Sequence, residues 1–270
     1  MVNSFFENLK NLNRLSHLPQ NSVVFAEFPR SGGTFISSML LDLVFDVLSD
    51  QSKAKSQLSN YINQTNLFQF LTDYDQLNVS TFCAKKHPCL NFFKTHKCLT
   101  SYTTAYIIIV RHPLKIFKSY YGYSFKEKNL KSAHKNMTNF FHKTSFLKEY
   151  VKFNAFYLHN QKNQKTFFIK NEDITLPPYR LINDLRQSFG KDISSESYLE
   201  SKLKFYSYSQ WAKNEEYWNK TFAFNARRNI THDFEWDPDL VLSLLKKTSH
   251  YDEIQSIASA YGYCLQDKLN

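Results

Sequence analysis

Apolar residues along this chain fall into two kinds of run, short unbroken ones and longer ones with helical spacing. Residues 22–28 (SVVFAEF) form a β-branched and aromatic run that ends at Pro29 and the Gly32-Gly33 pair, which predicts a buried strand and then a tight turn. From residue 34 to residue 48 apolar side chains recur at helical spacing, from Phe35, Ile36 and Met39 to Val47 and Leu48, so a helix with one apolar stripe follows the turn. Residues 91–95 (NFFKT), 105–110 (AYIIIV) and 165–170 (KTFFIK) are three more apolar runs. The continuous Ile/Val character of the second predicts a strand buried on both faces of a parallel sheet. Helical patterns restart at 114–121, after Arg111, His112 and a first-turn Pro113, and at 179–189, between Pro177-Pro178 and Gly190. A last helix is expected over about 237–247. Strands alternating with helices predict an α/β fold with a central parallel sheet flanked by helices.

Residues 49–80 are polar, rich in Asn and Gln, and specify little beyond loops and short helices. No internal repeat or low-complexity tract occurs, and 270 residues suit one domain spanning 1–270 better than two. Hydrophobic residues at 42% against 21% charged give a globular composition and argue against long disorder. With 34 Lys and Arg against 24 Asp and Glu, the net charge of +10 favours an anionic partner. The lysines are scattered rather than blocked, which argues against a polybasic tail. Cys83, Cys89, Cys98 and Cys264 form no CxxC pair, and adding His87 makes no convincing zinc set, so reduced thiols and no metal are expected. The N-terminal segment carries no apolar run of signal-peptide or membrane-spanning length, which predicts a soluble, cytoplasmic protein without a membrane partner.

The candidate chemistry concentrates in residues 28–35, FPRSGGTF. A strand-to-helix junction of this composition offers backbone N–H groups at a helix N-terminus, glycines that admit an anion closely, the Ser31 and Thr34 hydroxyls and the Arg30 guanidinium. Phosphate or sulfate would suit it; a plain tight turn with a surface arginine would give the same string. The Gly-Lys-Ser/Thr of an ordinary nucleotide triphosphatase loop does not occur.

Other segments, in a fixed order, make the loop more specific. PRSGGTF (29–35) resembles the 5′-phosphosulfate loop of the cytosolic sulfotransferase family, usually written PKSGTTW. KTH at Lys94, Thr95 and His96 is identical to the family's catalytic motif, and VRHPLKIFKSYY (110–121) resembles its 3′-phosphate motif, with Arg111 and Ser119 eight positions apart. SYSQWAKN (207–214) is similar to its SFxxMKxN segment, and RRNITHDF (227–234) to its RKGxxGDW.

The resemblance implies a single-domain, P-loop-like sulfotransferase fold and transfer of a sulfuryl group from 3′-phosphoadenosine 5′-phosphosulfate (PAPS) to a small acceptor, leaving adenosine 3′,5′-bisphosphate (PAP). It implies His96 as general base, with Arg30 and Lys94 stabilising the transferring group. Ser31, Gly32, Gly33, Thr34 and Phe35 are implied to complete the cofactor loop. Arg111 and Ser119 are implied to take the 3′-phosphate, Tyr208 to stack on adenine, and Arg227, Arg228 and the Asn229 backbone to close over the 3′-phosphate. The roles are chemically sound, because an imidazole titrates near neutral pH, and a strand-end guanidinium and a hydroxyl two helical turns on can meet at one phosphate.

The chain also departs from the family pattern. Arg30 stands for the loop lysine, Gly33 for a threonine, Phe35 for a tryptophan, Asn171 for the tyrosine of YED and Asn229 for a glycine. The KxxxTVxxxE element through which many relatives dimerise does not follow Phe234, so a monomer or a different dimer is expected. The acceptor is expected to be a hydroxyl or amine of a small molecule, with natural-product tailoring as one use and segments 49–86 and 123–145 as its walls. Two other classes remain open at this level: a P-loop kinase or NTPase using ATP and magnesium, and a non-enzymatic module binding RNA or an anionic glycan.

Overall fold

The computed structural model describes residues 22–45, 69–70, 91–96, 98, 104–127, 137–143, 145–160, 165–174, 178–205 and 238–266. Among them five strands form one sheet: β1 (Ser22–Glu27), β2 (Gln69–Phe70), β3 (Asn91–Thr95), β4 (Thr104–Val110) and β5 (Thr166–Lys170). Their spatial order is β2-β3-β1-β4-β5, and β1 pairs in parallel with β3 on one side and β4 on the other. The described helices are α1 (Gly33–Leu43), α2 (Pro113–Glu127), α3 (Met137–Lys143), α4 (Phe146–Asn160), α5 (Tyr179–Ser188), α6 (Glu196–Phe205), α7 (Pro238–Leu245) and α8 (Tyr251–Ala260). The α/β class with a central parallel sheet is therefore as the alternation of patterns predicts. Two compact units can be told apart, one within Met1–Ser31, Phe68–Ile169 and His232–Asn270, the other within Gly32–Leu67 and Lys170–Thr231.

The first unit holds β1 to β4 and nearly all of β5. Val24 and Ala26 of β1 and Tyr106, Ile108 and Val110 of β4 alternate along their strands and join one apolar cluster with α2, α3, α4, α7 and α8. The intervening Val23, Phe25, Ile107 and Ile109 are buried as well, the two-faced burial that an unbroken Ile/Val run predicts. Phe28 follows β1 directly and meets Phe146, Tyr150 and Phe153 of α4 edge to face, with centroids 5.6, 5.2 and 5.9 Å away. Because Pro29 comes next, these rings fix where the chain leaves the sheet.

A second anchor sits at the start of α2. Nδ1 of the buried His112 accepts the Leu114 N–H at 3.3 Å, which satisfies one of the donors a helix N-terminus leaves over. The proton then belongs on Nε2, which donates to the Cys264 carbonyl at 3.0 Å.

In the second unit α1 ends at Leu43 rather than near residue 48. The buried Arg186 of α5 donates through Nη1 to the Leu43 carbonyl at 2.9 Å, taking up an acceptor that a helix end exposes. Lys202 of α6 reaches Asp42 of α1 at 3.4 Å, both nearly enclosed. The terminal helix expected over 237–247 is α7, and it is not the last, since α8 follows it.

Phe28→Ala is expected to lower the unfolding free energy by about 3–5 kcal/mol in urea titrations, the usual cost of emptying a buried ring site. A loss under about 1 kcal/mol would show that the α4 rings close up without it.

Candidate functional site

The parallel register lines up three strand ends. Ala26 pairs with Thr95 and Glu27 with Ile109, so the residues leaving β1, β3 and β4 emerge at one edge of the sheet. They are Phe28 to Ser31, His96 and Arg111. The carboxyl edge of a parallel sheet is where such folds place their ligands.

Arg30 is the one described non-glycine residue with positive φ, at 78°. Such a conformation costs a side-chain-bearing residue roughly 1–2 kcal/mol, so it persists where neighbours hold it. Two do. The Arg30 Nε donates to Ser119 Oγ at 3.0 Å, and the Arg30 carbonyl accepts from Arg111 Nη1 at 3.2 Å. The structure thus brings Arg30, Arg111 and Ser119 together, with Arg111 and Ser119 joined through Arg30, a linkage that spacing alone did not suggest. Ser31 is buried beside them in sequence, and its N–H closes a turn onto the Phe28 carbonyl at 3.1 Å.

His96 follows β3. Its Nδ1 lies 2.9 Å from the Glu27 carbonyl oxygen, and since a carbonyl only accepts, the neutral ring carries its proton on Nδ1 and its lone pair on Nε2. Glu27 Oε1 is 3.9 Å from the same nitrogen. The ring is 30% exposed, enough to meet a ligand, while the carboxylate is buried. Sequence reading passed over Glu27 as part of an apolar strand; the signal was a single charged residue inside SVVFAEF. Lys94 lies in β3 opposite Phe25. Cys98, two residues beyond His96, is no rival nucleophile, because burial pushes its thiol up to about 12.

The loop continues into the second unit with Gly32, which is left-handed at φ 86° and precedes α1. The left-handed backbone favours glycine there, and a Cβ would have to push aside the end of the Asn171 side chain. Gly33, Thr34 and Phe35 form the first turn of α1, where N–H groups have no helical partner, and Ile36 N–H returns to the Gly32 carbonyl at 3.2 Å. Ser37 Oγ bonds the Gly33 carbonyl. Asn171, at the position of a family tyrosine, is thus held against the loop in this chain. Tyr208, Arg227, Arg228 and Asn229 lie outside the described residues, as do nearly all of segment 49–86, residues 128–136 of segment 123–145 and the Cys83, His87 and Cys89 group.

A parallel α/β sheet whose first strand runs into a glycine loop and helix, with arginines and an imidazole at the same edge, defines the P-loop-like class. The sulfotransferase-domain family model matches residues 20–234, and the chain belongs to that family. Two solved structures share the fold. One is mouse sulfotransferase SULT7A1 complexed with PAP, at 14% identity, 93% coverage of each chain and a TM-score of 0.51. The other is retinol dehydratase in complex with androsterone and the inactive cofactor PAP, at 15% identity, 97% coverage of this chain, 86% of that one and a TM-score of 0.53. No curated protein matches the chain. Among the described residues no helix is long and apolar enough to cross a membrane.

Two substitutions test this geometry. Arg30→Gly should leave stability within about 1 kcal/mol, because relief of the positive φ offsets the lost Ser119 bond, while sulfuryl transfer falls by roughly 100-fold or more. A stability loss well above that would mean Arg30 holds the loop rather than the ligand. Gly32→Ala should destabilise by roughly 1–3 kcal/mol, and adding Asn171→Ala should recover the steric part and leave the left-handed part. Purely additive losses in thermal denaturation would refute the clash.

Proposed function

We propose that this sulfotransferase moves a sulfuryl group from PAPS to a hydroxyl or amine of a small-molecule acceptor, with His96 as general base. The observation that carries the reading is the His96 hydrogen bond to the Glu27 carbonyl, which puts the lone pair of the neutral ring on Nε2, in a side chain that is 30% exposed. PAP in both related structures supports the choice of donor. The residues present fit a nucleotide with anionic ends, since a left-handed Gly32 leads directly into the N-terminus of α1.

When bound, PAPS would supply a sulfuryl group joined to a phosphate leaving group. In such a transfer the acceptor O–H or N–H bond would break as a new bond to sulfur forms, the proton would pass to His96 Nε2, and the bond from sulfur to the bridging oxygen would break with its electrons leaving on PAP. Arg30, Lys94 and the N–H groups of the loop, Ser31 to Phe35, stabilise the charge that develops there. By the family resemblance, Arg111 and Ser119 would bind the 3′-phosphate, a role also implied for Arg227, Arg228 and the Asn229 backbone, and Tyr208 would stack on adenine, a contact worth about 1–3 kcal/mol. The chemistry asks for no metal. The reading extends to a single cytoplasmic domain acting as a monomer or through a dimer interface other than the family's usual one, with natural-product tailoring as one use of the activity.

PAP should raise the melting temperature more than 5′-AMP, and more than ATP with magnesium, in a thermal-shift comparison. Stronger stabilisation by ATP with magnesium would favour a kinase, and salt-sensitive binding to RNA or glycan with no preference for the 3′-phosphate would favour a binding module. With labelled PAPS and a panel of phenols, steroids and amines, His96→Ala should reduce transfer by about 100-fold or more while PAP affinity is retained. Normal turnover by that variant would remove His96 from the role of base.

A further inference from the structure

We infer that Glu27 is the positioning residue for His96: its backbone carbonyl fixes which ring nitrogen carries the proton, and its buried carboxylate stabilises the imidazolium formed during transfer. The inference rests on the reading of His96 as general base.

β1 is buried along its whole length, and Glu27 is the one ionisable residue in it. Enclosing a carboxylate at the end of an apolar strand is unfavourable without an oppositely charged or hydrogen-bonding partner. The sheet register supplies one. Ala26 and Thr95 are paired, and Glu27 and His96 each stand one residue further along adjacent parallel strands. Both oxygens of interest face the same atom, with Nδ1 at 2.9 Å from the carbonyl oxygen and 3.9 Å from Oε1. The first distance is a hydrogen bond, which selects the tautomer. The second is too long for one and short enough for Coulombic attraction across a buried edge.

When Nε2 takes the acceptor's proton, the positive charge spreads over the ring and Nδ1–H remains aimed at Glu27. The buried carboxylate stands beside Nδ1, the ring nitrogen that does not take the acceptor's proton. Glu27 therefore acts through His96 and touches neither donor nor acceptor. The arrangement is the orienting half of an acid-base-imidazole relay, with carbonyl and carboxylate supplied by one residue.

Nitrogen-15 spectra of the full chain labelled at histidine, with His96 assigned by its loss in His96→Gln, test the tautomer without any acceptor. The neutral ring should carry its proton on Nδ1; a proton on Nε2 would overturn the inference. Glu27→Gln keeps the carbonyl and the side-chain shape and removes only the charge. With the acceptor found in the labelled-donor panel, it should lower kcat roughly 10-fold or more, with KM and PAP affinity within about twofold. Glu27→Asp should recover part of the loss, and a folded Glu27→Gln with wild-type kcat would sink the proposal. The two readings fail separately: an active His96→Ala removes the base, whereas an inactive His96→Ala beside a fully active Glu27→Gln removes only the role of Glu27. If Glu27→Gln does not fold, the tautomer measured in the unaltered protein still decides.

Discussion

Parallel hydrogen bonding of β1 to both β3 and β4 is the constraint on which the remaining geometry depends. Residues 27, 96 and 111 are far apart in the chain, and they become neighbours only because three backbones are held in one register. A slip of one residue in either pairing would turn every side chain of that strand to the opposite face, and a slip between β1 and β3 would separate His96 from Glu27. The register is protected by burial on both faces, since a shifted β4 would place its Ile/Val side chains against mismatched neighbours. Phe28 adds a local lock, because its ring is held by three others at the point where the loop begins.

At the loop itself the balance is different, with strain held by polar contacts. Arg30 adopts a backbone conformation that is unfavourable for its type, and two hydrogen bonds of about 1 kcal/mol each, one to its side chain and one to its carbonyl, are of the size needed to keep it there. The same contacts tie the Arg30 side chain to Ser119 and the Arg111 side chain to the Arg30 backbone, so two guanidinium groups are anchored on one loop. Such an arrangement suits a multiply charged anion better than a neutral ligand.

Much of this was legible in the sequence, and the reasons differ by element. β1, β3, β4 and β5 were readable because unbroken apolar runs punctuated by glycine, proline or charge have few alternatives in an α/β chain. The loop and His96 were readable through ordered motifs that resemble one family, and the family match over residues 20–234 bears out that identification. α4 went unread although its sequence, FLKEYVKFNAFYLHN, buries eight residues, because lysines and asparagines interrupt the stripe and aromatic residues favour strands as readily as helices. α8 and the early end of α1 depend on tertiary partners, Arg186 in the second case, that no local pattern announces. The Arg30–Ser119 bond and the Glu27–His96 pair are likewise products of register, not of spacing.

The bond from His112 to the Cys264 carbonyl has a consequence for how the protein is made. It joins positions 152 residues apart, and His112 is the immediate neighbour of Arg111. The strands of the sheet are synthesised well before Cys264, but the first turn of α2 lacks this clamp until that residue has left the ribosome. Termination just before that residue would thus keep every strand in the chain and remove the carbonyl that holds His112 beside Arg111. Ligand binding would therefore be a more discriminating gauge of finished synthesis than secondary-structure content.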